Sequence, residues 1–79
     1  MPRYFFHLYD DLDVPDEEGK HLPDLEAAEE YARENIRVTA GETLKEDGRI
    51  TLSHRIDIED AQGMALSTVM FSDVLKVSS

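Results

Sequence analysis

The sequence predicts an α+β fold, a ββαββ two-layer sandwich with one long helix on one face of an antiparallel sheet. Three observations carry this prediction: an aromatic segment with a period of two, a central apolar stripe with helical spacing, and two alternating segments near the end. The 79 residues suit a single domain, 1–79. Such a short chain without cysteine has a small core and no disulfide, so association is expected to add stability.

The first predicted strand runs from Arg3 to Tyr9, and its period of two separates two sets of side chains. One set faces the core (Tyr4, Phe6 and Leu8), and the other faces away from it (Arg3, Phe5, His7 and Tyr9). An acidic, turn-rich loop follows as far as Glu18. Gly19 then precedes a short candidate strand, residues 20–22, which predicts a hairpin with a long loop.

The predicted helix spans Leu25 to Glu46. Asp24 is a typical N-cap residue, because its carboxylate can accept hydrogen bonds from the first helical N–H groups. Asp47 and Gly48 form a plausible C-terminal stop. Apolar residues recur at steps of three and four and predict one buried stripe, made of Leu25, Ala28, Ala32, Ile36, Ala40 and Leu44.

Two further strands are predicted, at residues 50–59 and 64–71, joined by the turn at residues 60–63. Residues 74–77 fit either a short terminal strand or a docked tail. A single helix covers only one sheet face, so the other face is expected to be solvated or used for binding.

A formal net charge of −10 argues against several classes of partner. It repels phosphate, so we expect neither nucleic-acid binding nor attachment to an anionic membrane, and it favours cationic proteins. The sequence has no run of 18 apolar residues, so no membrane span is predicted. The opening residues do not resemble a signal peptide. A cytoplasmic location is therefore expected.

Metal and cofactor sites are not predicted. Asp11 and Asp13 match the start of a calcium loop, but the required glycine is Asp16 and the twelfth position is Leu22. The three histidines (His7, His21 and His54) follow no zinc-binding spacing.

Catalytic residues are not predicted either. Ser53, His54 and Thr68 fall in no triad pattern, and the four glycines are isolated rather than grouped in a phosphate loop. We therefore expect a protein that is not an enzyme.

The better functional candidate is a protein-binding patch on the outer sheet face. It would combine the outward residues of the first strand with apolar residues of the last one, as Arg3, Phe5, His7, Tyr9, Val69 and Phe71. Exposed apolar patches of this kind mark partner sites. The alternative is that residues 74–77 cover the same face. The leading hypothesis is a module that forms a homodimer or binds another protein, by this face or by a strand edge.

Several segments resemble a known family: the opening Met1–Leu8, the pair Glu18-Gly19, the stretch Leu22–Ala28 and the later Phe71–Asp73. The chain is similar over nearly its whole length to short proteins of rhizobia and related alphaproteobacteria, known only as a domain of unknown function. The resemblance implies a cytoplasmic bacterial protein and implies no activity.

Residues 3 to 40 also resemble HicB-type antitoxins, which place an acidic hairpin before a helix rich in Glu and Ala. That resemblance implies a second hypothesis, an acidic inhibitor of a basic protein, although this chain has no appended DNA-binding helices. A small enzyme or a metal or ligand binder is the third hypothesis.

Overall fold

The structure, a computed structural model, describes residues 1–9, 13–48 and 53–75. It confirms the predicted α+β fold, with an open antiparallel sheet beside one long helix. Within the sheet the strand order is β2-β1-β4-β5, and β3 pairs with the other end of β1. The elements are β1 (Arg3–Tyr9), β2 (Asp13–Val14), β3 (Lys20–His21), α1 (Leu25–Asp47), β4 (Arg55–Glu59), β5 (Ala65–Met70) and α2 (Phe71–Val74).

Helix α1 is capped at both ends by the residues that its sequence indicates. The Asp24 carboxylate accepts a 2.8 Å hydrogen bond from the N–H of Ala27. Gly48 has φ 75° and donates its N–H to the carbonyl of Leu44, so a left-handed glycine closes the helix. The helix ends one residue later than predicted, at Asp47.

The predicted apolar stripe of α1 is buried along most of its length. Ala28, Ala32 and Ile36 are completely buried, and Ala40 is nearly so. Leu44 was also expected in the stripe, but it is exposed. A helix of 23 residues is about 34 Å long, whereas strands of five to seven residues reach only about 17–24 Å, so the last turns extend beyond the sheet.

The core lies between α1 and one face of the sheet. Tyr4 is buried and Phe6 packs its ring edge-on against Tyr31 of α1, with centroids 4.9 Å apart. Ile56 and Ile58 of β4 complete the centre of this face. The predicted inward set of β1 (Tyr4, Phe6 and Leu8) therefore does pack under the helix.

The C-terminal third departs from the prediction in two places. The strand expected over residues 50–59 begins at Arg55, and residues 49–52 lie outside the described part of the chain. Phe71 was expected to end the last strand, but it begins α2. Val74 and Leu75 pack against the core rather than over the outer face, while residues 76–77 lie outside the described residues.

Candidate interaction surface

The outer face of the sheet is the face that α1 does not cover. Strand register places Phe5 opposite Glu59, His7 opposite Asp57 and Tyr9 opposite Arg55. Paired residues of antiparallel strands share a face, and Arg3 has the same parity as Phe5. The structure therefore brings together the four predicted β1 residues, Arg3, Phe5, His7 and Tyr9.

The two predicted β5-side members of the patch are placed wrongly. Val69 pairs with the buried Ile56, so its side chain points towards α1, and it is only 5% exposed. Phe71 starts α2 and is 3% exposed within the core. Neither residue lies on the outer face, so the expected apolar patch does not form with them.

His7 connects the outer face to the acidic loop. Its Nδ1 accepts a 3.0 Å hydrogen bond from the backbone N–H of Asp16. The neutral ring must therefore carry its proton on Nε2, which lies 3.2 Å from the Glu59 carboxylate and can donate to it. Both ring nitrogens of His7 are thus used inside the domain.

The remaining polar groups of this face also contact one another. The Arg55 guanidinium lies 4.5 Å from the centroid of the Tyr9 ring and donates to Asp57 over 3.2 Å. Arg3 lies 3.2 Å from the His21 ring nitrogen. A face whose aromatic and charged groups already have partners is a weaker docking surface than an exposed apolar patch.

The Asp16 carboxylate binds to the edge of β1 that lies opposite β4, in an arrangement that we call the Asp16 clasp. Its Oδ2 accepts the N–H of Phe6 at 3.1 Å, and its Oδ1 accepts those of Glu18 and Gly19, each also at 3.1 Å. β3 pairs with Arg3 and Tyr4 on this edge, and β2 pairs with Leu8 and Tyr9. The carboxylate therefore occupies the gap in the ladder between the two short strands.

The clasp determines how the Asp16 carboxyl titrates. Partial burial raises its pKa, but the backbone N–H groups of Gly19, Phe6 and Glu18, and the charge of His7 when protonated, outweigh burial. The pKa therefore lies below its ordinary value of 3.8. A lowered pKa in the folded state stabilises the fold at pH values above the unfolded pKa, and this contribution is lost as the pH falls through the folded pKa.

We expect Asp16→Asn to lower the free energy of unfolding by about 1–2 kcal/mol at pH 7, because an amide has only one accepting oxygen. The difference from wild type should stay constant between about pH 7 and pH 5 and shrink below about pH 4. Urea denaturation across this pH range measures it. Glu17→Gln is the control, because it removes the same charge from an exposed position in the same loop. A loss of stability in Asp16→Asn that does not change with pH would contradict the lowered pKa of Asp16.

The opposite edge of the sheet is formed by β5, which pairs only with β4 among the described residues. The Phe71 N–H donates to the His54 carbonyl at 2.9 Å. Peptide groups alternate in direction along a strand, so those facing away from β4 are the Leu66 carbonyl, both groups of Thr68 and both groups of Met70. The N–H of Met70 is bonded to the Asp73 carboxylate at 3.0 Å.

The Met70 carbonyl, at the N-cap of α2, accepts the first hydrogen bond of that helix. Three backbone groups therefore remain directed outward: the carbonyls of Leu66 and Thr68, and the N–H of Thr68. We call this set the β5 edge. The sequence reasoning anticipated some exposed strand edge but did not identify Thr68. The signal that could have found it is the uncharged segment Met64–Phe71 in a chain that is 33% charged, because edges are usually protected by charge or proline.

Three carboxylates surround the β5 edge. The hydroxyl of Ser67 donates to Glu29 of α1 at 2.8 Å, on the helix-covered face. The hydroxyl of Thr68 donates to Asp57 at 3.0 Å on the outer face, and Asp73 caps Met70 at the end of the strand. The edge is uncharged, yet its surroundings are acidic on both faces.

Metal and small-molecule sites find no geometric support in the described ranges. Residues 1–9, 13–48 and 53–75 contain no group of three or more acidic, histidine or cysteine side chains placed to hold an ion. His21 contacts Arg3 and the Met1 carbonyl, and His54 packs edge-on against Phe71. Asp11, part of the calcium-loop match, lies outside the described residues, and no pocket is formed by the residues described.

Comparison with models of protein families identifies a family for this chain. The family model described as Domain of unknown function (DUF6894) matches residues 3–72. No curated protein and no solved structure matches the chain. None of the helices in the described segments is both long enough and apolar enough to cross a bilayer.

Proposed function

Because the chain belongs to the family Domain of unknown function (DUF6894), whose description names no activity, we propose a function from the geometry: a non-enzymatic protein-binding module that accepts an added strand at the β5 edge. The observation that carries the proposal is the row of outward backbone groups centred on Thr68. Backbone hydrogen bonds to such an edge supply affinity, and the adjacent side chains supply selectivity.

The β5 edge is a better docking site than the outer face. On that face His7 is bonded to Asp16 and Glu59, and Tyr9 is covered by Arg55. By contrast, Leu66 at the start of the edge is 38% exposed and the neighbouring Met64 is 64% exposed. Exposed apolar residues beside unpaired backbone groups are typical of strand-addition sites.

Two kinds of occupant suit such an edge, a second copy of this chain or a segment of another protein. A second copy would form a two-fold antiparallel pair centred on Thr68 and extend the sheet. The second candidate function, an acidic inhibitor of a basic protein, is favoured by the carboxylates around the edge (Glu29, Asp57 and Asp73). In either case we propose a cytoplasmic bacterial protein that does not bind nucleic acid.

The edge is tested by Thr68→Pro. Proline is tolerated where a strand N–H faces outward, so the variant should fold while losing the central donor of the edge. We expect any self-association of the wild type, measured by sedimentation velocity up to millimolar concentration, to weaken at least about tenfold. Circular dichroism and thermal unfolding confirm that the variant is folded.

The matched control is Thr68→Val, which keeps the N–H and the branched side chain and loses only the hydroxyl bond to Asp57. It should associate as the wild type does. Self-association that survives Thr68→Pro would mean that the edge is not the contact. Phe5→Glu then serves as the corresponding test of the outer face.

A further inference from the structure

We infer that the β5 edge takes an extended, basic segment of another protein as its added antiparallel strand. The inference rests on the proposed function and specifies the chemistry of the partner. It depends on two independent features, the direction of the backbone groups and the position of the carboxylates relative to them.

The backbone groups fix the orientation of the added strand. Thr68 would exchange two hydrogen bonds with the residue opposite it, as in a hydrogen-bonded antiparallel pair. The carbonyl of Leu66 would accept an N–H from the partner residue two positions away. At the other end, Asp73 already occupies the N–H of Met70 and the first turn of α2 occupies its carbonyl, so the complete contact involves three backbone hydrogen bonds.

The carboxylates determine which side chains the added strand should carry. The partner residue opposite Ser67 would share the helix-covered face with it, with Cβ atoms about 4.5–5.5 Å apart. Glu29 accepts the Ser67 hydroxyl at 2.8 Å, so a lysine or arginine at that partner position can reach it. On the outer face, the residue opposite Thr68 would lie next to Asp57.

A second copy suits these surroundings less well. It would bring its own Glu29, Asp57 and Asp73 to the same junction, and each copy carries a formal net charge of −10. Among these three carboxylates, Asp57 has a cationic neighbour in Arg55 at 3.2 Å. A basic strand would neutralise the junction that a second copy makes more negative, and like charges at an interface disfavour the wrong partner.

The experiment uses three synthetic seven-residue peptides with blocked ends, in which valine alternates with lysine, glutamine or glutamate. Each is titrated into the full chain labelled with ¹⁵N. We expect the lysine peptide to shift the Thr68 amide and slow its hydrogen exchange. It should bind about tenfold more tightly than the glutamine peptide at low salt, and this advantage should fall as salt is raised.

Two pairs of variants locate the effect. Thr68→Pro should abolish binding of the lysine peptide and Thr68→Val should retain it. Glu29→Gln should weaken binding about threefold, in line with an ion pair that is partly exposed. Glu42→Gln removes the same charge from an exposed position of α1, about 20 Å further along the helix axis, and should have a much smaller effect.

The outcomes separate the inference from the proposed function. Equal binding of all three peptides at Thr68 would overturn the inference and leave strand addition intact. Self-association blocked by Thr68→Pro, without peptide binding, would make the second copy the occupant. A lysine peptide that binds wild type and Thr68→Pro equally would overturn the inference. A monomeric protein that binds none of the peptides would overturn both.

Discussion

Gly19→Ala is expected to lower the free energy of unfolding by about 2–4 kcal/mol, because two costs coincide at this position. Gly19 has φ 71°, in the left-handed region that favours glycine. An added Cβ would also lie 2.9 Å from the carbonyl oxygen of Tyr4 and 2.8 Å from Cγ of Arg3. The Arg3 side chain can move, but the Tyr4 carbonyl belongs to β1 and cannot do so without disturbing the strand.

Gly63→Ala is the matched control for this change. Gly63 has φ 82° and a Cβ built on it would meet nothing within 4 Å. Its substitution should therefore cost only the conformational penalty, about 1 kcal/mol. Urea denaturation of both variants measures the difference in free energy of unfolding. An unchanged m-value would show that both variants still unfold in a two-state transition. Equal losses in the two variants would contradict the close approach of Gly19 to β1.

Gly19 also donates to the Asp16 clasp through its N–H, so the substitution should disturb more than its own position. Displacing the Gly19 N–H would weaken the bond between the Phe6 N–H and the Asp16 carboxylate. The bond between the Asp16 N–H and His7 would weaken as well. We therefore expect the amides of Phe6 and Asp16 to lose hydrogen-exchange protection in Gly19→Ala, whereas both should keep it in Gly63→Ala.

Sequence reasoning predicted the two faces of β1 because successive side chains of a strand point to opposite faces, which is a simple period of two. The same reasoning failed for β5, whose apolar residues have both parities. The strand register determines which β5 side chains face α1, because Val69 pairs with the buried Ile56. Pairing partners and the change of direction into α2 at Phe71 depend on tertiary packing, which a single sequence does not reveal.

The Asp16 clasp was also beyond sequence reasoning. The sequence marks Asp16 only as the residue that replaces the required glycine of a calcium loop, within an acidic, turn-rich segment. Its carboxylate instead accepts the Phe6 N–H across ten residues of chain and fills a gap between two strands of two residues each. Helix α1 was easier to predict, because its cap and its stripe are local patterns.

Ile58→Ala is expected to lower the free energy of unfolding by about 3–4 kcal/mol. Ile58 is completely buried in β4, between Phe6 on β1 and Ser67 on β5. It and Ile36 are the largest fully buried side chains of the described core, which otherwise relies heavily on alanines of α1. Small residues on the facing helix cannot expand into the cavity, so little of the loss would be recovered by repacking.

A domain of 79 residues has about 4–12 kcal/mol of stability, so Ile58→Ala should remove a large share of it. Thermal and urea unfolding measure the loss, with Ile58→Val expected to cost about 1 kcal/mol and the exposed Leu66→Ala less than that. A lysine peptide bound at the β5 edge should raise the melting temperature of Ile58→Ala, since only the folded state presents that edge. A loss below about 1 kcal/mol would mean that this central position of β4 is not closely packed under α1.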